Sequence, residues 1–246
     1  TYELFLDENG QKISKTSGNG VSIEDWLKYA SSESLSYFMY QKPKTAKRLH
    51  FDIIPKMVDE YHQQLRAYSN QDFSGKLNNP VWHIHGNSVP KSHMAIPFSM
   101  LLNLASVAGA EEKESLWGFL KRYQSEATPE THPDLDQAVG FAVAFYNDFV
   151  KPNKIYRKAS EVEREAILDL REKLANYNGD LDAESLQSVV FSCGRERFDP
   201  LRKWFQALYE ILLGASQGPR FGGFIALYGI EETIALIDSA LEGKFL

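Results

Sequence analysis

A mainly α-helical fold, with a small mixed α/β connector region followed by an all-α helical bundle, is what this sequence of 246 residues predicts. Three observations lead to it. From Trp26 onward, apolar residues recur at three- and four-residue spacing in one segment after another, the period of a helix with one buried face. A strand–turn–strand signal stands at the start, where Leu4-Phe5-Leu6 and Gln11-Lys12-Ile13 flank Asp7-Glu8-Asn9-Gly10, and Asn-Gly is a strong turn former. No internal repeat of fixed period runs through the chain, which disfavours a solenoid.

In chain order, Ser14 to Gly20 is short, polar and punctuated by glycine, and reads as a mobile loop. Ser22-Ile23-Glu24-Asp25 opens a helix: Ser22 can accept from the free amides, and the acids lie where the helix dipole favours them. Trp26-Leu27, Tyr29-Ala30, Leu35 and Phe38-Met39 mark buried helix faces. Ile53-Ile54, Met57-Val58, Tyr61 and Leu65 mark another, with Pro55 in its first turn, where a missing amide costs little. Ser69 to Pro97 is richer in polar and turn residues and holds one candidate strand, Val81 to Ile84; the main boundary is expected near Pro90. Beyond it, Phe98–Val107, Leu116–Tyr123, Leu135–Phe149, Val162–Leu174, Leu186–Phe191, Leu201–Leu213 and Ile230–Leu241 each carry a helical apolar stripe.

Composition narrows the functional classes. The apolar share of 43% and charged share of 24% are those of a soluble globular protein. Cys193 stands alone, so neither a disulfide framework nor a multi-cysteine zinc site is available, and a reducing, cytoplasmic setting is expected. No apolar run approaches a membrane span. The start at Thr1, without Met or signal-peptide character, points to a portion of a longer protein. A net charge of −6 argues against indiscriminate coating of nucleic acid. Yet Gln41 to Lys56 carries five cations (Lys42, Lys44, Lys47, Arg48, Lys56) against one anion, Asp52. Such a patch on an acidic body suits a partner that must be placed, although a solvated loop between helices has the same composition.

Lys12-Ile13-Ser14-Lys15-Thr16-Ser17-Gly18-Asn19-Gly20 is the most informative segment. Two lysines three apart, beside hydroxyls and ahead of a glycine-rich turn, suit a loop that closes over a polyphosphate. The order excludes a Walker A loop, in which the lysine follows the last glycine.

Lys12 to Thr16 resembles the Lys-Met-Ser-Lys-Ser signature of class I aminoacyl-tRNA synthetases, with Ile for Met and Thr for the last Ser. Val21 to Leu27, Glu33 to Phe38, Lys42 to Asp52 and Ile54 to Tyr61 resemble the class I lysyl-tRNA synthetase family more specifically. So do Trp204 to Gly214, Gly218-Pro219-Arg220-Phe221 and Phe224 to Gly229 near the end. The likeness spans nearly the whole chain and is weakest between Gly86 and Thr131.

The resemblance implies three parts. Residues 1–20 would end the catalytic fold and carry the lysine loop, 21–89 would be a connector that contacts the tRNA stem, and 90–246 a helical domain that receives the lysine tRNA anticodon. Lys12, Ser14 and Lys15 would be catalytic, with Lys15 on the ATP phosphates and the leaving pyrophosphate. ATP with Mg2+ would be a substrate, alongside L-lysine and tRNA(Lys), with no tightly bound cofactor, and a monomer is expected. Candidate tRNA contacts are Lys42, Lys44, Lys47, Arg48, Arg220 and Phe221.

The nucleotide-binding fold with its His-Ile-Gly-His motif, which precedes the lysine loop in the family, is not in this sequence, so the chain alone is expected to be inactive. His83-Ile84-His85-Gly86 follows the loop and has the wrong order. As metal ligands His83 and His85 lack a third partner beside them, and no metal site is expected. Arg195-Glu196-Arg197 reads as an exposed helix end. Two other readings remain: a glutamyl-tRNA synthetase-like paralogue, and a non-catalytic RNA-binding scaffold.

Overall fold

The computed structural model describes residues 4–14, 20–86 and 88–246. Among these it holds thirteen α-helices and one two-stranded sheet, the mainly α architecture expected. The chain runs β1 (Phe5–Leu6), α1 (Ile23–Tyr29), α2 (Ser32–Tyr40), β2 (Lys47–Arg48), α3 (Ile53–Ser69), α4 (Phe73–Asn78) and α5 (Pro80–Ile84). It continues through α6 (Phe98–Ala108), α7 (Lys113–Tyr123), α8 (Pro133–Phe145), α9 (Glu161–Ala175) and α10 (Ala183–Gly194). Last come α11 (Arg202–Leu208), α12 (Phe221–Tyr228) and α13 (Ile230–Leu241).

Two compact units form. The first comprises the chain up to Ser99 and Pro129–Ala144; the second comprises Met100–Thr128 and Phe145–Leu246. Pro90, the expected boundary, lies inside the first unit.

In the first unit, Ser22 caps α1 as its sequence predicts. Its hydroxyl accepts from the Asp25 amide at 3.0 Å while the Asp25 carboxylate accepts from the Ser22 amide at 3.0 Å. One turn on, Trp26 is fully buried, so its indole N–H needs an internal acceptor. Ser34, also fully buried, supplies one at 3.1 Å and donates in turn to the Ser31 carbonyl. The Trp26 ring packs on Phe38, and Tyr37 on Tyr61, joining α1, α2 and α3.

Helix α3 buries Ile54, Met57, Val58, Tyr61 and Leu65, with Pro55 in its first turn. Its polar residues hold the segment that follows α5. Arg66 donates to the Met94 carbonyl at 2.9 Å, and Asp59 accepts from the Phe98 and Ser99 amides at 2.5 and 3.2 Å, capping α6.

Val81 to Ile84, expected as a strand, is helical instead. Asn79 accepts from the Val81 amide and Pro80 takes the first helical position, so an Asn-Pro helix start outweighs the β-branched run.

The second unit is a helical bundle whose core includes Leu170, Val190, Trp204, Phe221, Phe224 and Ile237. Two of the predicted long helices end in wider π turns, Tyr146–Val150 after α8 and Tyr209–Leu213 after α11. Helices α10 and α12 approach closely at Gly222. A Cβ there would lie 2.3 Å from the Gln187 nitrogen, and the Gly222 amide instead donates to Gln187 Oε1 at 2.7 Å. Arg171 forks onto Asp238 at 3.0 Å through both nitrogens, fastening α9 to α13.

Candidate lysine-loop stem and nucleic-acid interface

The lysine loop springs from a short ribbon. Asp7 is buried, and its carboxylate accepts from the Asn9 and Gln11 amides, so the turn closes on itself with Gly10 at φ 79°, where a side chain would be strained. Beyond the turn, Lys12 bridges antiparallel to Leu6, and the Ile13 amide donates to the Phe5 carbonyl at 2.9 Å. On the other edge of β1 lies β2 in parallel, with Phe5 opposite Lys47 and Leu6 opposite Arg48. One ribbon therefore carries both the stem of the lysine loop and the basic segment. Arg48 also reaches the turn that precedes the stem, its Nη2 lying 3.8 Å from where a Cβ on Gly10 would be.

The loop's ends come together as well. A Cβ on Gly20 would lie 2.4 Å from the Ile13 side chain, so Ile13 anchors the returning backbone. Lys12 and Ser14 are exposed. Lys15, with Thr16 to Asn19, lies outside the described residues.

The basic segment forms one wall of a groove of about 570 Å3, lined by Tyr37, Tyr40, Lys42, Arg48, Lys56 and others. Lys42 and Lys44 both adopt left-handed backbone, φ 42° and 67°, which is uncommon outside glycine; Thr45 holds the turn by donating from Oγ1 to the Lys42 carbonyl at 2.6 Å. Lys42, Lys44 and Arg48 are exposed. Lys47 is not: it is 8% exposed, donates to the Met39 carbonyl at 2.5 Å and lies 5.9 Å from the Phe38 ring centre. Its charge is thus engaged with α2 rather than offered to a partner. Lys56 sits 3.8 Å from Glu60. On the groove's rim, half-exposed Tyr40 stacks on His83 at 5.1 Å.

His83 and His85 turn to different partners, the Leu77 carbonyl at 2.8 Å and the Tyr61 hydroxyl at 3.0 Å. Among the described residues no group of three or more His, Cys, Asp and Glu is placed to hold a metal.

A family model described as tRNA synthetases class I (K) matches residues 1–88, the stretch that contains the ribbon and the groove. Over all 246 residues the chain is 72% identical to the lysine–tRNA ligase of Roseobacter denitrificans, covering 47% of that relative. It is 47% identical over 243 residues to the lysine–tRNA ligases of Rickettsia conorii and Rickettsia felis, 98% of this chain and 47% and 46% of theirs. Along its whole length the chain is thus similar to part of these lysine–tRNA ligases. It spans about half the length of the curated relatives it matches.

The family-like residues of the second unit divide sharply. Arg220 caps the start of α12 and is exposed, with no side-chain partner among the described residues. Phe221 is fully buried, its ring 5.5 Å from Phe224 and 6.3 Å from Tyr209, so it packs the bundle and has no face for a base. Of the Arg195–Arg197 pair, Arg197 is tied to Asp169 at 2.9 Å.

Sequence reasoning missed a second pocket of the first unit, about 190 Å3, lined by Glu33, Tyr61, His62, His85, Lys91 and Asp134 among others. His62 shares a hydrogen bond with Ser92 Oγ at 3.1 Å, and burial pushes it down to about 4. Burial raises Tyr61 and lowers His85. Asp134 accepts from the His93 amide at 2.7 Å. No local signal joins residues so far apart in sequence.

Proposed function

We propose that this chain is the tRNA-binding portion of an enzyme that ligates L-lysine to tRNA(Lys) using ATP and Mg2+, and that it reads the anticodon but does not aminoacylate alone. Similarity to lysine–tRNA ligases along its entire length carries the reading. The ribbon supports it, because a lysine-loop stem and a basic, aromatic-rimmed groove share one small sheet.

In that reading, residues 1–20 end the catalytic fold, 21–89 contact the tRNA stem and 90–246 receive the anticodon. Lys15 stabilises the negative charge that develops on the leaving pyrophosphate, with Lys12 and Ser14 supporting the loop. Lys42, Lys44 and Arg48 meet phosphates, and Lys47 holds their strand in place. The enzyme works in the cytoplasm as a monomer; among the described residues no helix is long and apolar enough to cross a membrane.

The test is a titration of the chain against lysine tRNA, and against the same tRNA with a substituted anticodon, at two salt concentrations. A preference for the native anticodon that survives higher salt is expected, with no lysine-dependent pyrophosphate exchange by the chain. Equal binding that fades with salt would leave only phosphate contacts and defeat the anticodon assignment.

A further inference from the structure

We propose that the cavity of about 190 Å3 between α2, α3 and α8 of the first unit binds a small alkylammonium compound, with Asp134 and Glu33 on its charged end and Val58, Leu65 and Ala138 along its carbon chain. Nothing in this rests on the tRNA-binding reading, and either can fall without the other.

The walls differ in character. Val58, Leu65 and Ala138 are buried and apolar, and Phe141 adds a ring beside them. At roughly 30 Å3 per water the space admits about six waters, which is room for a chain of some six non-hydrogen atoms. Polar groups converge on it from separate elements: Glu33 from α2, Tyr61 and His62 from α3, His85 from the end of α5 and Asp134 from α8. Apolar walls with a few convergent polar groups are the pattern of a small-molecule site.

Asp134 is half satisfied. Its Oδ2 accepts from the His93 amide at 2.7 Å, whereas its Oδ1 is buried and accepts no hydrogen bond from the described residues, with His93 Nδ1 standing 3.5 Å away. A buried carboxylate oxygen without a donor costs free energy that an ammonium in the cavity would recover. Glu33 is met only by the Ser32 hydroxyl, at 3.1 Å, among the described residues. The charge of both acids reaches the cavity wall, since burial raises Tyr61 and both Glu33 and Asp134 raise it further. The imidazoles do not neutralise that charge at neutral pH. Burial lowers His62, with Asp134 opposing and Arg66 assisting, and burial lowers His85 against the pull of Glu33. Lys91 lines the cavity too, but it is exposed and its ammonium can extend into water. Among the described residues no three His, Cys, Asp or Glu are placed for a metal ion, so the cation that fits is organic. An ammonium brings donors to the carboxylates while its carbon chain covers the apolar wall.

The whole 246-residue chain is titrated calorimetrically at neutral pH with n-butylamine, L-lysine, 1-butanol and butyrate. n-Butylamine should bind, and the alcohol and the acid should not. Asp134→Asn, which keeps an acceptor for the His93 amide, should weaken n-butylamine by about tenfold or more, and Glu33→Gln by a smaller factor. L-Lysine separates two sources of the same ammonium: binding tighter than n-butylamine makes the amino acid the occupant, and weaker binding makes it a simple amine. In the wild type, n-butylamine should shift the NMR resonances of the His62 and His85 imidazoles and leave that of His50, which does not line the cavity, in place. That readout needs no variant to fold. Absence of amine binding, 1-butanol binding as tightly as n-butylamine, unchanged affinity in Asp134→Asn, or a His50 shift equal to the others would each overturn the proposal.

Discussion

Lys12 stands exposed where the ribbon turns into the lysine loop, three residues before Lys15. A lysine that follows charge onto a leaving pyrophosphate acts in the transition state, so its loss should appear in the chemistry and not in tRNA affinity. In the full-length enzyme, Lys15→Ala should slow lysine-dependent pyrophosphate exchange by about 10²–10³-fold while tRNA affinity stays within about twofold. Unchanged exchange would remove Lys15 from the mechanism. His62 makes a different kind of prediction. Burial is the chief cause of its low value, about 4, with Arg66 adding to it and Asp134 opposing. An unfolded chain takes up a proton near pH 6.5, whereas the folded chain resists until about pH 4. Stability should therefore fall as pH drops through that window, by at most about 3 kcal/mol, with nothing further lost below it. Urea unfolding at pH 7 and 4.5 checks this: His62→Gln should show a smaller difference between the two than the wild type.

Helix packing sets the consequences of small changes within elements. At Gly222 a methyl group would meet backbone of α10, which cannot swing aside, so Gly222→Ala should destabilise the chain by about 1–3 kcal/mol in thermal or urea unfolding. Gly118, on the exposed face of α7, meets nothing within 4 Å, and Gly118→Ala should be neutral or stabilising by up to about 1 kcal/mol. Equal losses at both positions would mean that general glycine effects, not the close helix approach, govern. Elements whose cause is local were legible in sequence: the Ser22–Asp25 box, the Asn9-Gly10 turn, Pro55 in a first turn and Ile230–Leu241 with its bounds as read. Elements decided by distant partners were not. The parallel pairing of Leu6 with Arg48 joins residues some forty apart, and the Val81–Ile84 run was outvoted by the Asn79-Pro80 helix start. The same limit applies to side chains. Residue type marks Lys47 as basic and Phe221 as aromatic, but only packing shows that both face inward.

Across the whole chain the balance is acidic, −6, yet the 42–48 stretch gathers exposed cations beside the lysine-loop stem. On an acidic body a polyanion is drawn to where exposed cations gather, so the patch should help to place RNA and should make its binding sensitive to salt. Each phosphate contact removed should lower the slope of log K against log salt by about one, equally for every RNA sequence. The double variant Lys42→Ala, Arg48→Ala should then lose about two units of slope with lysine tRNA and with a substituted-anticodon tRNA alike, its preference between them unchanged. Lys47→Ala separates placement from contact. Its ammonium is engaged with the Met39 carbonyl, so that variant should lower thermal stability and leave the slope where it was. A full unit of slope lost with Lys47→Ala at unchanged stability would mean that Lys47 turns outward onto RNA, and that the buried geometry belongs only to the RNA-free chain.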